Sequence, residues 1–241
     1  MKKICVVKQL GMIPYQEAWD RQNDLAERIA QGEHPETLLL LEHPHTYTLG
    51  RRGDADNLLW SKEQLQSKGV RVVWVDRGGD ITYHGPGQLV GYPLLQLAQI
   101  GWQGDRLPQA DYVGYIRKLE RVLMDALAAF DILTYRVEGK TGVWTKTKGG
   151  EGLKKIASIG VKVDSRGISR HGFALNVDPD MTYWEGIVPC GLKDAVMTSM
   201  TDFLGKVLDS RNVLDILVGC FGEVFNKEMI KRALSSHLFD S

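Results

Sequence analysis

The sequence has no paired cysteines, no long apolar run and no net charge, and each absence removes a class of function. Its three cysteines, Cys5, Cys190 and Cys220, are widely spaced and form no CxxC. Such a set supports neither a disulfide framework nor a zinc site, so no metal is expected and a reducing compartment is. The opening MKKICVVKQL holds only Ile4 to Val7 between lysines, too short for a secretory signal. No stretch approaches the ~20 apolar residues of a membrane span. A soluble, cytoplasmic protein without a membrane partner is expected. Thirty basic and thirty acidic residues cancel, so no global field favours nucleic acid, and none is expected as a partner.

What is present fits an ordinary globular protein. Of 241 residues, 43% are hydrophobic, enough to bury a core without disulfides or a structural metal. No internal repeat or linker divides the chain, so residues 1–241 are read as one domain.

Three apolar stripes at helical spacing stand out. Tyr15, Trp19, Leu25, Ala26 and Ile29 share one face, with Gly32 as the stop. Tyr112, Tyr115, Ile116, Leu119, Leu123, Ala126, Leu127 and Phe130 form a longer stripe, with Pro108 near its start. Val213, Ile216, Leu217, Cys220, Phe221, Val224 and Phe225 make the third. Strand-like runs are 38–41, 70–75, 132–137, 156–163 and 168–177. Asp164-Ser165-Arg166-Gly167 between the last two predicts an antiparallel hairpin. Helices and strands do not alternate regularly, which predicts an α+β fold with a mixed or antiparallel sheet packed by helices.

Three segments can carry chemistry. Arg77 to Gln88 places four glycines in twelve positions, as a loop whose backbone approaches something closely. It reads either as a long structural turn or as a pocket wall. Lys155 lies in an apolar run with Ser158 and Gly160. It reads either as solvent-facing, the simpler choice, or as a desolvated proton carrier. Cys190 stands between Pro189 and Gly191 in a sharp turn, whereas Cys5 and Cys220 sit in apolar runs as small core residues. A nucleophilic thiol needs a nearby cation or base. Lys155, His84 and His171 are candidates, and spacing does not choose among them.

Other patterns fail. Gly139-Lys140-Thr141 lacks the earlier glycine of a phosphate-binding loop, since Thr134 stands there. No G-x-S-x-G elbow exists. His43 and His45 bracket Pro44 after Glu42 and could mimic a metal cluster, but no further ligand follows nearby, so the pair reads as structural or as a pocket wall.

Together these segments resemble the lipoyl(octanoyl) transferases of the biotin/lipoate protein ligase superfamily. The matching pieces run in order: Leu41 to Gly53, Arg77 to Gln88 with its Thr-Tyr-His-Gly-Pro-Gly-Gln core, Lys155 to Gly160, His171 to Asn176, and Val188 to Gly191. The resemblance implies a class II synthetase-like fold. It implies Cys190 as the acyl-accepting nucleophile and Lys155 as the lysine that lowers its pKa and handles protons. It implies substrate binding by Arg77, Gly78, Gly79, Asp80, Ile81, Thr82, Tyr83 and His84, by Ser158, Ile159 and Gly160, and by Gly172, Phe173 and Ala174. One departure is visible: Lys146 to Leu153 is longer and richer in lysine and glycine than the family pattern.

The activity so implied moves an octanoyl or lipoyl group from acyl carrier protein to a lysine of another protein. The acceptors are the lipoyl domains of 2-oxoacid dehydrogenase complexes and the glycine cleavage H protein. Thioester to amide is downhill, so no ATP, metal or other cofactor is expected. An eight-carbon chain needs an apolar slot, worth about 0.8 kcal/mol per methylene. Backbone N–H groups of Gly78, Gly79 or the Cys190 turn are candidate oxyanion donors. Arg51, Arg52, Lys146, Lys148, Lys154 and Lys155 form a candidate docking surface for acidic partners. Two alternatives are an ATP-dependent lipoate or biotin ligase of the same fold and a non-catalytic acyl-binding relative. Cys190 argues against the first, and Cys190 with Lys155 against the second.

Overall fold

The computed structural model describes residues 2–98, 109–146, 152–192 and 195–231. Its elements in chain order are β1 (Lys3–Met12), α1 (Tyr15–Ala30), β2 (Glu36–Glu42), β3 (Thr46–Leu49), α2 (Lys62–Ser67), β4 (Arg71–Trp74), β5 (Ile81–His84) and β6 (Gln88–Leu94). They continue with α3 (Gln109–Ala128), β7 (Thr134–Val137), β8 (Lys140–Lys146), β9 (Leu153–Val163), β10 (Ser169–Asn176), β11 (Val196–Met197), α4 (Met200–Leu204), α5 (Ser210–Phe225) and β12 (Lys227–Lys231). Pro108 and most of the Lys146 to Leu153 connection lie outside the described residues.

A large mixed sheet runs β12-β1-β2-β6-β10-β9-β8-β7, with β11 added beside β9. Covering both of its faces dictates the sequence of the central strands. In β2, Leu38 and Leu40 enter one core with α3 and α5, while Leu39 and Leu41 enter another with α1. A strand that alternates between two buried faces reads as a continuous apolar run. Each such leucine contributes about 1.5–3 kcal/mol on burial. On α1, Ala18, Gln22, Leu25, Ala26 and Ile29 are buried at the three- and four-residue spacing of its inner face. In α3, Leu119, Val122, Leu123, Ala126 and Leu127 do the same. α5 starts at Asp209, whose side chain accepts from Arg211 N, and stops at Asn226 in left-handed conformation.

The predicted hairpin is present: β9 and β10 pair antiparallel, closed by Gly167 N–H donating to Asp164 O. The glycine-rich stretch from Arg77 to Gln88 is not one loop. Ile81–His84 forms β5, which joins β3 and β4 in a second, three-stranded sheet. Its cross-strand partners Thr46 to Leu49 supply the ladder that four isolated residues cannot make alone. The loop before β5 donates Gly78 N–H to Val161 O of β9, which ties the small sheet to the large one.

Candidate active site

Cys190 sits in a 3-10 turn, Pro189–Gly191, at φ +57° and ψ +20°. That conformation is uncommon outside glycine and costs on the order of 1–3 kcal/mol. Its surroundings fix it. Val188 N–H donates to Asn57 O at 2.8 Å, and Leu192 N–H closes the turn on Pro189 O at 3.0 Å. The thiol is half-buried. Cys5, by contrast, is fully buried, and burial pushes its thiol up to about 12.

Lys155 is aimed by an irregularity in β9. Val143 of β8 pairs with Ala157 and Trp144 with Lys155, so Ile156 is an extra residue. A bulge of this kind shifts the strand's alternation by one. Ile156 and Ala157 both enter the core, while Lys155 joins Ser158 and Gly160 along the cavity wall. Lys155 is therefore not on a solvent face. It is 2% exposed, and its Nζ donates to Cys190 Sγ at 3.3 Å. The Trp144 ring lies 5.6 Å from the same nitrogen. Among the described residues no carboxylate forms an ion pair with Lys155. Neither His84 nor His171 makes a hydrogen bond to Cys190 among the described residues; the geometry selects the lysine.

Both groups open onto a cavity of about 820 Å³. Arg77, Gly78, Gly79, Asp80, Thr82 and His84 line it, as do Ser158, Ile159, Gly160, Gly172, Phe173 and Ala174. Ile81 and Tyr83 do not. They alternate to the opposite face of β5 and pack with Tyr47, Leu49 and Trp184 in a separate core. Asp80 borders the cavity, but Oδ1 accepts from Asp54 N and Ile81 N and Oδ2 from Asn57 Nδ2. It braces the chain.

Arg77 is 6% exposed and forms no ion pair with a carboxylate among the described residues. It donates to Thr48 O at 2.6 Å and Thr48 Oγ1 at 2.8 Å, and burial lowers its pKa. A Cβ on Gly160 would stand 3.0 Å from Arg77 Cδ and from Gly78 O, so glycine there admits the arginine. Arg77 Nε, Thr82 Oγ1 and Ser158 Oγ are buried without a protein partner. Buried polar atoms are ordinarily satisfied, and these three suit a polar portion of a bound ligand.

The cavity is less apolar than the sequence suggested. Ile116, Ile159, Phe173 and Leu192 supply apolar wall, but Tyr15, Tyr92, His84 and His171 supply a polar one. Proton positions there follow from the partners. His43 Nδ1 faces Ile13 O at 2.9 Å and must donate, so Nε2 accepts from Tyr92 OH at 2.7 Å. His171 Nε2 donates to Asp76 Oδ1 at 2.6 Å, and its Nδ1 accepts from Tyr15 OH at 3.3 Å. His84 Nδ1 donates to Gln88 Oε1 at 2.9 Å. Burial lowers the pKa of all three rings, that of His43 to about 4. Burial raises that of Asp76, but hydrogen bonds from His171 and Lys162 and the charge of Arg170 bring it below the usual carboxylate range. The supposed metal cluster dissolves likewise: Glu42 accepts from Gly87 N, and His45 stacks on Tyr183 at 3.8 Å.

Sequence reasoning missed Tyr15, Tyr92, Tyr112, Lys140 and Thr141 as cavity residues. Tyr15 looked like one more member of a helical core stripe. Lys140 and Thr141 belonged to the failed phosphate-loop pattern, and their place became visible only once β8 paired with β9. The proposed docking surface also changes. Lys155 is buried, Lys148 lies outside the described residues, and Arg51, Arg52 and Lys146 are exposed.

Comparison with known proteins places the chain in a family. The model of the lipoyl protein ligase A/B catalytic domain matches residues 14–222. An octanoyltransferase of Chloroflexus aurantiacus is 43% identical over 229 residues, covering 95% of this chain and 97% of that protein. Another, from Mycolicibacterium gilvum, is 46% identical over 210 residues, covering 87% and 80%. Among solved structures, a bipartite lipoate protein ligase from Thermoplasma acidophilum, described with its E2 lipoyl domain, superposes with a TM-score of 0.69 at 16% identity. It covers 98% of this chain and 88% of its own. A lipoate-protein ligase A bound with ATP gives 0.65 at 15%, covering 97% and 90%. At that identity the two structures show the shared fold, while the family model and the sequence relatives establish that this chain belongs to the lipoyl protein ligase A/B catalytic domain family.

Proposed function

We propose that this protein is a cytoplasmic octanoyltransferase that acts through a thioester on Cys190. The observation that carries the reading is the Lys155 amine 3.3 Å from the Cys190 sulfur at the wall of a cavity. Relatives above 40% identity that carry the name octanoyltransferase give the acyl group.

Acyl carrier protein presents the octanoyl group as a thioester. The Cys190 thiolate, stabilised by the Lys155 ammonium, attacks the carbonyl. As the tetrahedral intermediate collapses, the carrier's sulfur leaves and takes a proton from Lys155. A lysine amine of a lipoyl domain, in a 2-oxoacid dehydrogenase complex or the glycine cleavage H protein, then attacks the acyl-Cys190 thioester. Neutral Lys155 accepts the proton that amine loses, and the cycle closes. One thioester is broken and one amide is formed, with no need of ATP or metal. Oxyanion stabilisation falls to the N–H groups of Gly79 and Cys190. Those of Gly78 and Gly191 are occupied by Val161 O and Val188 O.

Intact-mass spectrometry after incubation with octanoyl-carrier protein tests the first step. One octanoyl group is expected on the wild type, removed by hydroxylamine, and none on Cys190→Ala. An ATP-dependent ligase of the same fold would instead transfer free octanoate and only with ATP. Unchanged acylation of Cys190→Ala would reject the thioester.

A further inference from the structure

Lys155 owes its place to a residue that carries no side chain. Gly142, on β8, has φ +125°, and a Cβ on it would stand 2.5 Å from Lys155 Cε and 3.2 Å from Nζ. The same atom would lie 2.6 Å from Ala157 O, so it could not be accommodated by moving the lysine alone. The bare backbone at 142 is one wall of the slot that holds the lysine stem. The Trp144 ring borders the amine as well.

A buried carboxylate holds that backbone. Gly142 N–H donates to Glu120 Oε1 at 3.3 Å. Glu120 projects from α3 and is 1% exposed, a depth that glutamate almost never reaches unless paired. Its partners are Arg117 at 2.7 Å and Arg136 at 2.9 Å, both on Oε2. The two guanidinium groups balance the charge through one oxygen and leave the other for the Gly142 amide. Glu120 makes no ion pair with Lys155 among the described residues, so the ammonium is not neutralised by the group that helps to place it.

We propose that Gly142 and Glu120 are positioning residues for Lys155. Glu120, clamped by Arg117 and Arg136, fixes the Gly142 backbone, and the missing Cβ lets the Lys155 amine reach the Cys190 sulfur. This rests on the Cys190–Lys155 reading above. A mere brace between α3 and β8 would change stability alone. A positioning role changes the reactivity of a sulfur carried on a different segment.

The test is site-resolved alkylation of Cys190 by iodoacetamide in the full-length protein, followed by mass spectrometry from about pH 5.5 to about pH 9, with no acyl donor present. Lys155→Ala sets the size of the lysine's effect. Gly142→Ala is expected to slow alkylation about tenfold at neutral pH and to move the pH–rate profile upward. Glu120→Gln keeps the shape, removes the charge and gives a smaller loss, about threefold. Gly114→Ala, on α3 with open space at that position, leaves the profile unchanged. Wild-type profiles in Gly142→Ala and Glu120→Gln, with Lys155→Ala displaced, overturn the positioning role alone. If Lys155→Ala also reacts like wild type, the dyad beneath it falls too. Should Gly142→Ala not fold, Glu120→Gln decides: a lower melting temperature with an unmoved profile counts against the proposal.

Discussion

A Cβ on Gly191 would stand 2.6 Å from Oδ2 of Asp80, so the residue after the thiol lies against a carboxylate from the loop that leads into β5. That carboxylate also holds Asp54 N, Ile81 N and the Asn57 side chain, and Asn57 O in turn accepts Val188 N–H. The Cys190 turn is thus fixed from outside, through a set of bonds that meet at Asp80.

Asp80→Ala is expected to release this turn. Loss of hydrogen bonds to a charged acceptor costs about 1–3 kcal/mol of stability. Misplacement of the sulfur by an ångström lowers the rate of acylation by about tenfold to a hundredfold. Urea unfolding and single-turnover acylation measure the two effects separately. A variant that loses stability yet acylates at the wild-type rate would show that Asp80 does not position the thiol.

Stability is expected to fall on acidification below neutral pH, and the sign follows from the histidines. His43 is neutral in the folded protein down to about pH 4, whereas in the unfolded chain it binds a proton below about 6.5. The unfolded state therefore holds more protons between those values. Its contribution is complete above pH 6.5 and is lost as the pH falls toward 4, by about 1.4 kcal/mol per unit. In His43→Gln the slope of unfolding free energy against pH should shrink by up to one proton across that window. An equal slope in variant and wild type would mean that His43 is not held neutral.

Docking of an acidic carrier protein is expected to depend on the exposed Arg51, Arg52 and Lys146. Arg52 also borders the cavity, with Lys140. Raising ionic strength from about 0.05 M to about 0.5 M should raise KM for the carrier several-fold with little change in kcat, and Arg52→Glu should do the same at low salt. A salt-independent KM would place the recognition elsewhere.

Much of the fold was legible because it rests on period. The stripes from Tyr15 to Ile29 and from Val213 to Phe225 fall within α1 and α5, and Asp164 to Gly167 closes the expected hairpin. β1, β6 and β8 were among the strands not read: β6 is buried along its whole length and interrupted by Gly91 and Pro93, so it shows no alternation, and glycines and polar ends blur β1 and β8. The candidate site was legible where single residues carry their chemistry, as in Cys190 between proline and glycine. It was illegible where position depends on long-range pairing. The extra Ile156 that turns Lys155 toward the cavity leaves no mark in the sequence, since Ile156 and Ala157 look like any two core residues. The link from Asp76 to His171 likewise joins distant segments that nothing local connects.

Passage of the acyl group through Cys190 on its way to the acceptor is open to a direct test. Octanoyl-enzyme, freed of carrier protein and nucleotide, is mixed with a lipoyl domain and both masses are followed in a single turnover. The octanoyl mass is expected to leave Cys190 and to appear on one lysine of the lipoyl domain in equal amount, without ATP. An acyl-enzyme that stays loaded, while the domain is modified only when octanoyl-carrier protein is added back, would contradict it.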